Sequence, residues 1–246
     1  DGAPTSVTAF VGTAPKIAAV VFAFRILVTG MGTIHSDWAP MLAILAVASL
    51  VVGNLAAIMQ TNIKRMLAYS TVSHMGFILL AFMAGAVGFT AGLYYAITYA
   101  LMAAVSFGVL MVLSTKDIEC EEIKDLAGLN HRHAWFAFLM LLSMFSMAGI
   151  PPLMGFYAKF GVIMALLKQG HVWLSVFAVI MSLIGAFYYL RVVKVIYFDA
   201  PDHDQPVGSN YAAKFVLTVN AFLLLLWGIM PQTVIDWCAK ALENTL

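Results

Sequence analysis

Two lysines stand where an amine is expensive. Lys16 lies inside the apolar run TAFVGTAPKIAAVVFAF and Lys159 inside SMAGIPPLMGFYAKFGV. An ionisable side chain at the depth of a membrane interior costs several kcal/mol and marks a functional site by default, unless its stem lets the charge reach an interface. Each lysine comes with a helix-breaking residue. Pro15 precedes Lys16, and its ring removes the hydrogen bond to the Val11 carbonyl. Pro151 and Pro152 free the carbonyls of Met147 and Ala148, and Gly149 and Gly155 loosen the same turn. Freed carbonyls in hydrocarbon need an internal partner, and interrupted helices open small polar pockets for ions. None of the twelve Asp and Glu residues falls deep within an apolar span, so neither lysine has a counter-ion of its own. Low-dielectric surroundings disfavour a charged amine. The chemistry expected of Lys16 and Lys159 is therefore proton exchange, with Pro15, Gly149, Pro151, Pro152 and Gly155 forming the helix breaks.

The elements that hold these residues follow from composition. Of 246 residues, 63% are hydrophobic and 10% charged, against about 25% charged in soluble domains. The fold class is all-α, a polytopic transmembrane bundle of about seven helices. The spans are 7–29, 41–59, 68–86, 90–114, 134–166, 172–197 and 212–230, with an interfacial helix after 231. The fifth is too long for one crossing, which suits a helix broken at Pro151-Pro152.

Eight basic residues, including Lys64, Arg65, Lys124, Arg132 and Arg191, fall in one set of loops, against Lys168 and Lys240 in the alternate set. The positive-inside rule places the richer set in the cytoplasm and the C-terminus outside. The first residues show no start methionine and no signal peptide, so the chain reads as a piece of something longer.

His74, Tyr95, Thr98, Tyr99 and Lys64 are the candidates for a secondary proton path. Imidazole titrates near neutral pH, although the span boundaries put His74 close to the cytoplasmic end of its helix, within reach of solvent. Thr98 and Tyr99 follow Tyr95 by three and four positions and share its face; hydroxyls in such helices also serve as helix–helix glue. No metal or cofactor signature is present: Cys120 and Cys238 match no ligand spacing, and dinucleotide and phosphate-loop fingerprints are absent. The acids Asp117, Glu119, Glu121, Glu122 and Asp125, and the tip Asp202-His203-Asp204, read as solvated loops. A net charge of +1 gives no basic patch for nucleic acid.

The segments QTNIKRMLAYSTVSHMGF (60–77), APTSVTAFVGTAPKIAA (3–19) and MAGIPPLMGFYAKFGV (147–162) closely resemble the antiporter-like subunits of proton-pumping NADH:quinone oxidoreductase, respiratory complex I. KDLAGL (124–129) and GAFYYLRVVKVIYFDAP (185–201) look most like one bacterial member of that family. The resemblance implies the C-terminal half of a fourteen-helix antiporter-like fold built from inverted five-helix repeats. Residues 1–30 would close the first repeat, 31–197 form the second, and 198–246 hold a cytoplasmic loop, the last transmembrane helix and an interfacial segment. Lys16 falls on the family's central lysine and Lys159 on its exit-side lysine in the broken helix. A glutamate and a further lysine would lie in the N-terminal half. Where sister subunits carry histidines, 90–114 carries tyrosines and a threonine, which leaves water held by Tyr95, Thr98 or Tyr99 as the link.

The function implied is a membrane-arm subunit relaying protons through its lysines and coupling quinone reduction to pumping, with no redox centre of its own. NADH, FMN, iron–sulfur clusters and quinone would bind other subunits. The implied partners are the other membrane-arm subunits, the N-terminal half and the lipid of a bacterial inner membrane, with the C-terminus periplasmic. Two other readings share these motifs: a subunit of a multi-subunit Na⁺/H⁺ antiporter, and a passive membrane scaffold.

Overall fold

The computed structural model describes residues 4–114, 120–201 and 211–243. Nine α-helices account for most of them, and no strand occurs among the described residues; Asn62 and Glu122 form an isolated bridge. The order is α1 (Thr5–Phe24), α2 (His35–Met59), α3 (Ile63–Met83), α4 (Gly85–Leu113), α5 (Leu129–Ala148), α6 (Met154–Lys168), α7 (Val172–Phe198), α8 (Tyr211–Ile229) and α9 (Pro231–Glu243). Among the described residues, six helical stretches are long and apolar enough to cross a membrane. The remaining expected span, 134–166, is two helices, because α5 stops at Ala148 and α6 starts at Met154.

Helix ends differ from the sequence boundaries where capping overrides hydropathy. Hydropathy starts the third span at 68, yet α3 begins at Ile63, since the Asn62 side chain accepts from the Arg65 amide at 3.0 Å. Such a cap satisfies one of the orphan amides of a first turn. Pro15 sits within α1 without ending it, and the chain continues beyond Phe24 through a π-helical segment, Arg25–Gly30.

Of the six apolar stretches, the ones holding α3 and α4 are the most enclosed, while those holding α1 and α8 present most of their surface outward. The outward faces carry Phe10, Phe22, Ile44, Leu183 and Phe215, all exposed. That arrangement suits a protein whose solvent is hydrocarbon. α9 is different: Val234 and Cys238 are buried, Trp237 is exposed, and Gln232 donates to Asp236 at 2.7 Å.

At one end of the bundle the basic turns meet. The Ile63 amide donates to the Glu121 carbonyl at 2.7 Å, and the Ile123 amide to the Thr61 carbonyl at 2.9 Å. Arg191, two turns before the end of α7, donates to the carbonyls of Ile58 and Gln60 at 3.0 and 2.6 Å. Lys64 pairs with Glu121 at 3.0 Å. Three chain segments remote in sequence are thereby clasped together, fixing the start of α3 relative to α7.

Candidate functional site

The site is built around α3. The residues at Thr71 and His74 follow one another at the three-residue spacing that keeps side chains on one face. α4 contributes Tyr95 and Tyr99 one turn apart, α1 contributes Lys16, α6 contributes Lys159, and α7 contributes Ser182, Tyr188 and Tyr189.

Lys16 is half-buried, and its Nζ lies 3.4 Å from the Tyr99 hydroxyl and 4.8 Å from the centre of the Tyr99 ring. The amine thus points inward and does not snorkel. A groove of about 310 Å³, lined by Val11, Gly12, Ala68, Thr71 and Phe107, runs beside it. The Tyr99 hydroxyl makes a short hydrogen bond with the Thr71 hydroxyl. Thr71 Oγ1 in turn donates to the Leu67 carbonyl at 2.9 Å. A hydroxyl has one proton, so Tyr99 is the donor to Thr71. Its lone pairs are left facing the Lys16 amine.

Next in line is His74. Its ring centre is 4.9 Å from that of Tyr99. Nδ1 lies 2.7 Å from the Tyr95 hydroxyl and Nε2 lies 2.9 Å from the Tyr189 hydroxyl. The imidazole is buried and within electrostatic range of both Lys16 and Lys159. This corrects the expectation of a solvated position near a helix end. Because α3 begins at Ile63, His74 is mid-helix, about 16 Å along its axis at 1.5 Å per residue.

Lys159 closes the line. Its Nζ donates to the Ala148 carbonyl at 3.0 Å and to the Ser182 hydroxyl at 2.9 Å, and lies 5.6 Å from the centre of the Phe77 ring. Ala148 is the residue whose carbonyl Pro152 frees, so the lysine supplies the hydrogen bond that the proline removes. Gly149 makes the turn with φ +88, where a Cβ would sit 3.1 Å from the lysine stem. At Gly155 a Cβ would come within 1.9 Å of the Ser146 carbonyl oxygen, and the Gly155 amide donates to the Ser146 hydroxyl at 3.1 Å. The break is thus held by its own polar contacts. A cavity of about 10 Å³, close to the size of one water, is shared by His74, Lys159, Ser182, Tyr188 and Tyr189.

Of the expected site residues, Lys16, Tyr99, His74, Tyr95 and Lys159 come together. Thr98 does not join them: its hydroxyl donates to the Tyr94 carbonyl at 2.8 Å, bonding its own helix. Lys64 lies in the first turn of α3, paired with Glu121, two turns before Thr71. The partners of Lys16 and Lys159 are neutral oxygens and aromatic rings. No group of His, Cys, Asp and Glu among the described residues is arranged to hold a metal. Glu121, Glu122 and Asp125 serve the clasp and the 3₁₀ turn Ile123–Leu126; Asp117, Glu119 and Asp202-His203-Asp204 lie outside the described residues. Sequence reasoning overlooked Ser182, Tyr188, Tyr189 and Asn54. The available signal was that each is a polar group within an otherwise apolar run.

Residues 1–185 match the family model described as NADH:quinone oxidoreductase/Mrp antiporter, TM. NADH-quinone oxidoreductase subunit N of Neisseria gonorrhoeae is 82% identical over 246 residues, all of this chain and 51% of that protein. The subunit N of Nitrosomonas europaea is 51% identical over 247 residues, again 100% of this chain and 51% of the relative. The chain spans about half the length of the relatives it matches. Among solved structures, a chain of respiratory complex I from Thermus thermophilus with bound aureothin superposes with a TM-score of 0.72 at 31% identity, covering 80% of this chain and 45% of that one. A chain of the Mrp complex from Dietzia superposes with a TM-score of 0.85 at 22% identity, covering 98% and 53%, a likeness of fold. The chain therefore belongs to the transmembrane family shared by NADH:quinone oxidoreductases and Mrp antiporters.

Proposed function

We propose that this chain is the C-terminal half of a membrane-arm subunit of proton-translocating NADH:quinone oxidoreductase, and that it carries protons between Lys16 and Lys159 through His74. The observation that carries this reading is the position of His74. It is a buried imidazole within electrostatic range of both amines, hydrogen-bonded on both ring nitrogens and bordering the small cavity that Lys159 also lines. Tyr99 receives the Lys16 side of the path and Tyr95 the α4 side of the imidazole; Ser182 and the Ala148 carbonyl hold the Lys159 amine. The aromatic and hydroxyl groups orient the two amines and keep them apart from bulk water. Charge shifts elsewhere in the assembled complex load and unload the lysines, and His74 transfers the proton between them.

In this reading residues 1–30 end one inverted repeat, 31–197 form the second, and the final segment includes the last span. The basic clasp faces the bacterial cytoplasm and α9 lies on the periplasmic side of the inner membrane. The partners are the N-terminal half, neighbouring membrane-arm subunits and lipid. NADH, flavin, iron–sulfur clusters and quinone belong to other subunits. The family description also covers Mrp antiporters, so a Na⁺/H⁺ antiporter subunit is the second reading; high identity to proteins named NADH-quinone oxidoreductase subunit N favours the first. Co-purification of iron–sulfur proteins or of small antiporter subunits separates the two.

The direct test is His74→Gln in the full-length protein within its assembled complex, reconstituted in vesicles. Protons moved per electron should fall while assembly persists, because the amide hydrogen-bonds but does not titrate. An unchanged ratio and turnover would sink the reading.

A further inference from the structure

The hydrogen bonds of Lys159 use two of its three ammonium donors, one on the Ala148 carbonyl at 3.0 Å and one on the Ser182 hydroxyl at 2.9 Å. Both acceptors are neutral. The further group facing the charge is a ring. Nζ stands over the face of Phe77, 5.6 Å from its centre, inside the distance of about 6 Å at which a ring's quadrupole attracts a cation. Phe77 is 2% exposed, lies on α3 one turn after His74, and stacks on Tyr95 with centres 5.6 Å apart and planes 15° apart. The ring is thus fixed by packing, and it lines the same small cavity as Lys159 and Ser182. Desolvation of the pair strengthens the attraction.

The other titratable groups about that cavity are His74 from α3 and Tyr188 and Tyr189 from α7, with Tyr95 of α4 bonded to His74. α5 brings the Ala148 carbonyl, and α8 lines no part of it. Among the described residues no Asp or Glu does so either. Lys16 repeats the pattern on the Tyr99 ring, 4.8 Å from its centre. A carboxylate beside Lys159 would be left charged and unpaired in a dry site each time the lysine gave up its proton, a costly state. An aromatic face attracts an ammonium more weakly and carries no net charge to strand.

We infer that Phe77 is a further functional residue of this site, its ring face serving Lys159 in place of a carboxylate. The ring favours the loaded ammonium and leaves no bare charge behind when the proton departs. An N–H bond forms on Nζ at loading and breaks at release; the ring exchanges neither proton nor electron. The inference rests on the proton-relay reading of Lys159.

The test replaces Phe77, in the full-length protein within the assembled complex, by mono-, di- and trifluorophenylalanine through nonsense suppression, and separately by leucine. Fluorine withdraws charge from the ring face with little change of shape, so the series separates electrostatics from packing, including where leucine disturbs assembly. The readout is protons moved per electron in vesicles, followed across pH. Without the ring's attraction Lys159 loads less readily, so the alkaline limb of the profile should move to lower pH. The shift should grow with each fluorine and reach about half to one and a half pH units in Phe77→Leu. An alkaline limb that stays at its native pH throughout the fluorinated series overturns the inference, whatever leucine does, because the ring would then only fill space. Where that result accompanies lost pumping in Lys159→Met, the relay reading stands. Native pumping by Lys159→Met overturns both.

Discussion

Replacing Lys159 by methionine removes one amine and keeps nearly all of the stem. The structure sets the cost on each side. The amine makes hydrogen bonds of 3.0 Å to the Ala148 carbonyl and 2.9 Å to the Ser182 hydroxyl, each worth about 1.5–3 kcal/mol when a charged group takes part. Leaving the Ala148 carbonyl without its donor costs about 1–3 kcal/mol. Against this stands the cost of holding an amine in a low-dielectric interior, several kcal/mol on its own. The terms nearly cancel, so Lys159→Met should assemble with a stability change of no more than about 2 kcal/mol. Proton transfer should fail all the same, because a thioether cannot carry a proton. Lys159→Arg separates charge from exchange: guanidinium keeps its proton at any working pH (pKa above about 12), and the stem already lies 3.1 Å from where a Cβ on Gly149 would sit. The assay is proton uptake by vesicles containing the complex, normalised to electrons passed. If methionine or arginine sustains the native proton-to-electron ratio and turnover, a passive scaffold explains Lys159 better and the relay argument is refuted.

Lys16→Ala should lower coupled turnover with assembly intact, since the path loses its α1 end; unaltered pumping by the same vesicle assay counts against it. Tyr99→Phe removes the hydroxyl that faces Lys16 and bonds Thr71, and should slow proton transfer by about tenfold or less, the weight of a hydrogen bond, with the complex still formed. Gly155→Ala should destabilise the assembled subunit by about 1–3 kcal/mol, read as a fall in thermal midpoint, because its Cβ would meet the Ser146 carbonyl oxygen at 1.9 Å. Cys120 is buried beside the clasp, and burial first, then the neighbouring Asp125 carboxylate, push its thiol up to about 12. It should therefore stay protonated and resist maleimide at pH 8, and react quickly once denaturant opens the clasp; rapid labelling of the native complex would contradict the packing described.

The broken helix was legible because proline chemistry is local: Pro151-Pro152 within an apolar run determines that α5 ends and α6 begins, whatever surrounds them. The two lysines were legible for a similar reason, since an amine inside a hydrocarbon-length span is an anomaly that needs no partner to be noticed. His74 was seen but misplaced. Hydropathy opens its helix at 68, whereas the Asn62 cap opens it at Ile63, and that shift turns a solvent-side residue into a central one. Thr98 shared a predicted face with Tyr95 and Tyr99, but its short side chain reaches the Tyr94 carbonyl of its own helix before any neighbour.

From the sequence alone came the class, the approximate places of the spans, the helix break and the absence of any Asp or Glu deep within an apolar span, because these depend on residue type and on spacing along one helix. Only the tertiary structure joined Lys16 to Tyr99 across 83 positions and His74 to Tyr189 across 115, and turned Lys159 onto the carbonyl its own proline had freed. Hydrogen bonds of 3 Å between separate helices depend on how those helices are rotated and how closely they pack. That rotation is set by the whole bundle at once, so no local pattern in the chain encodes it.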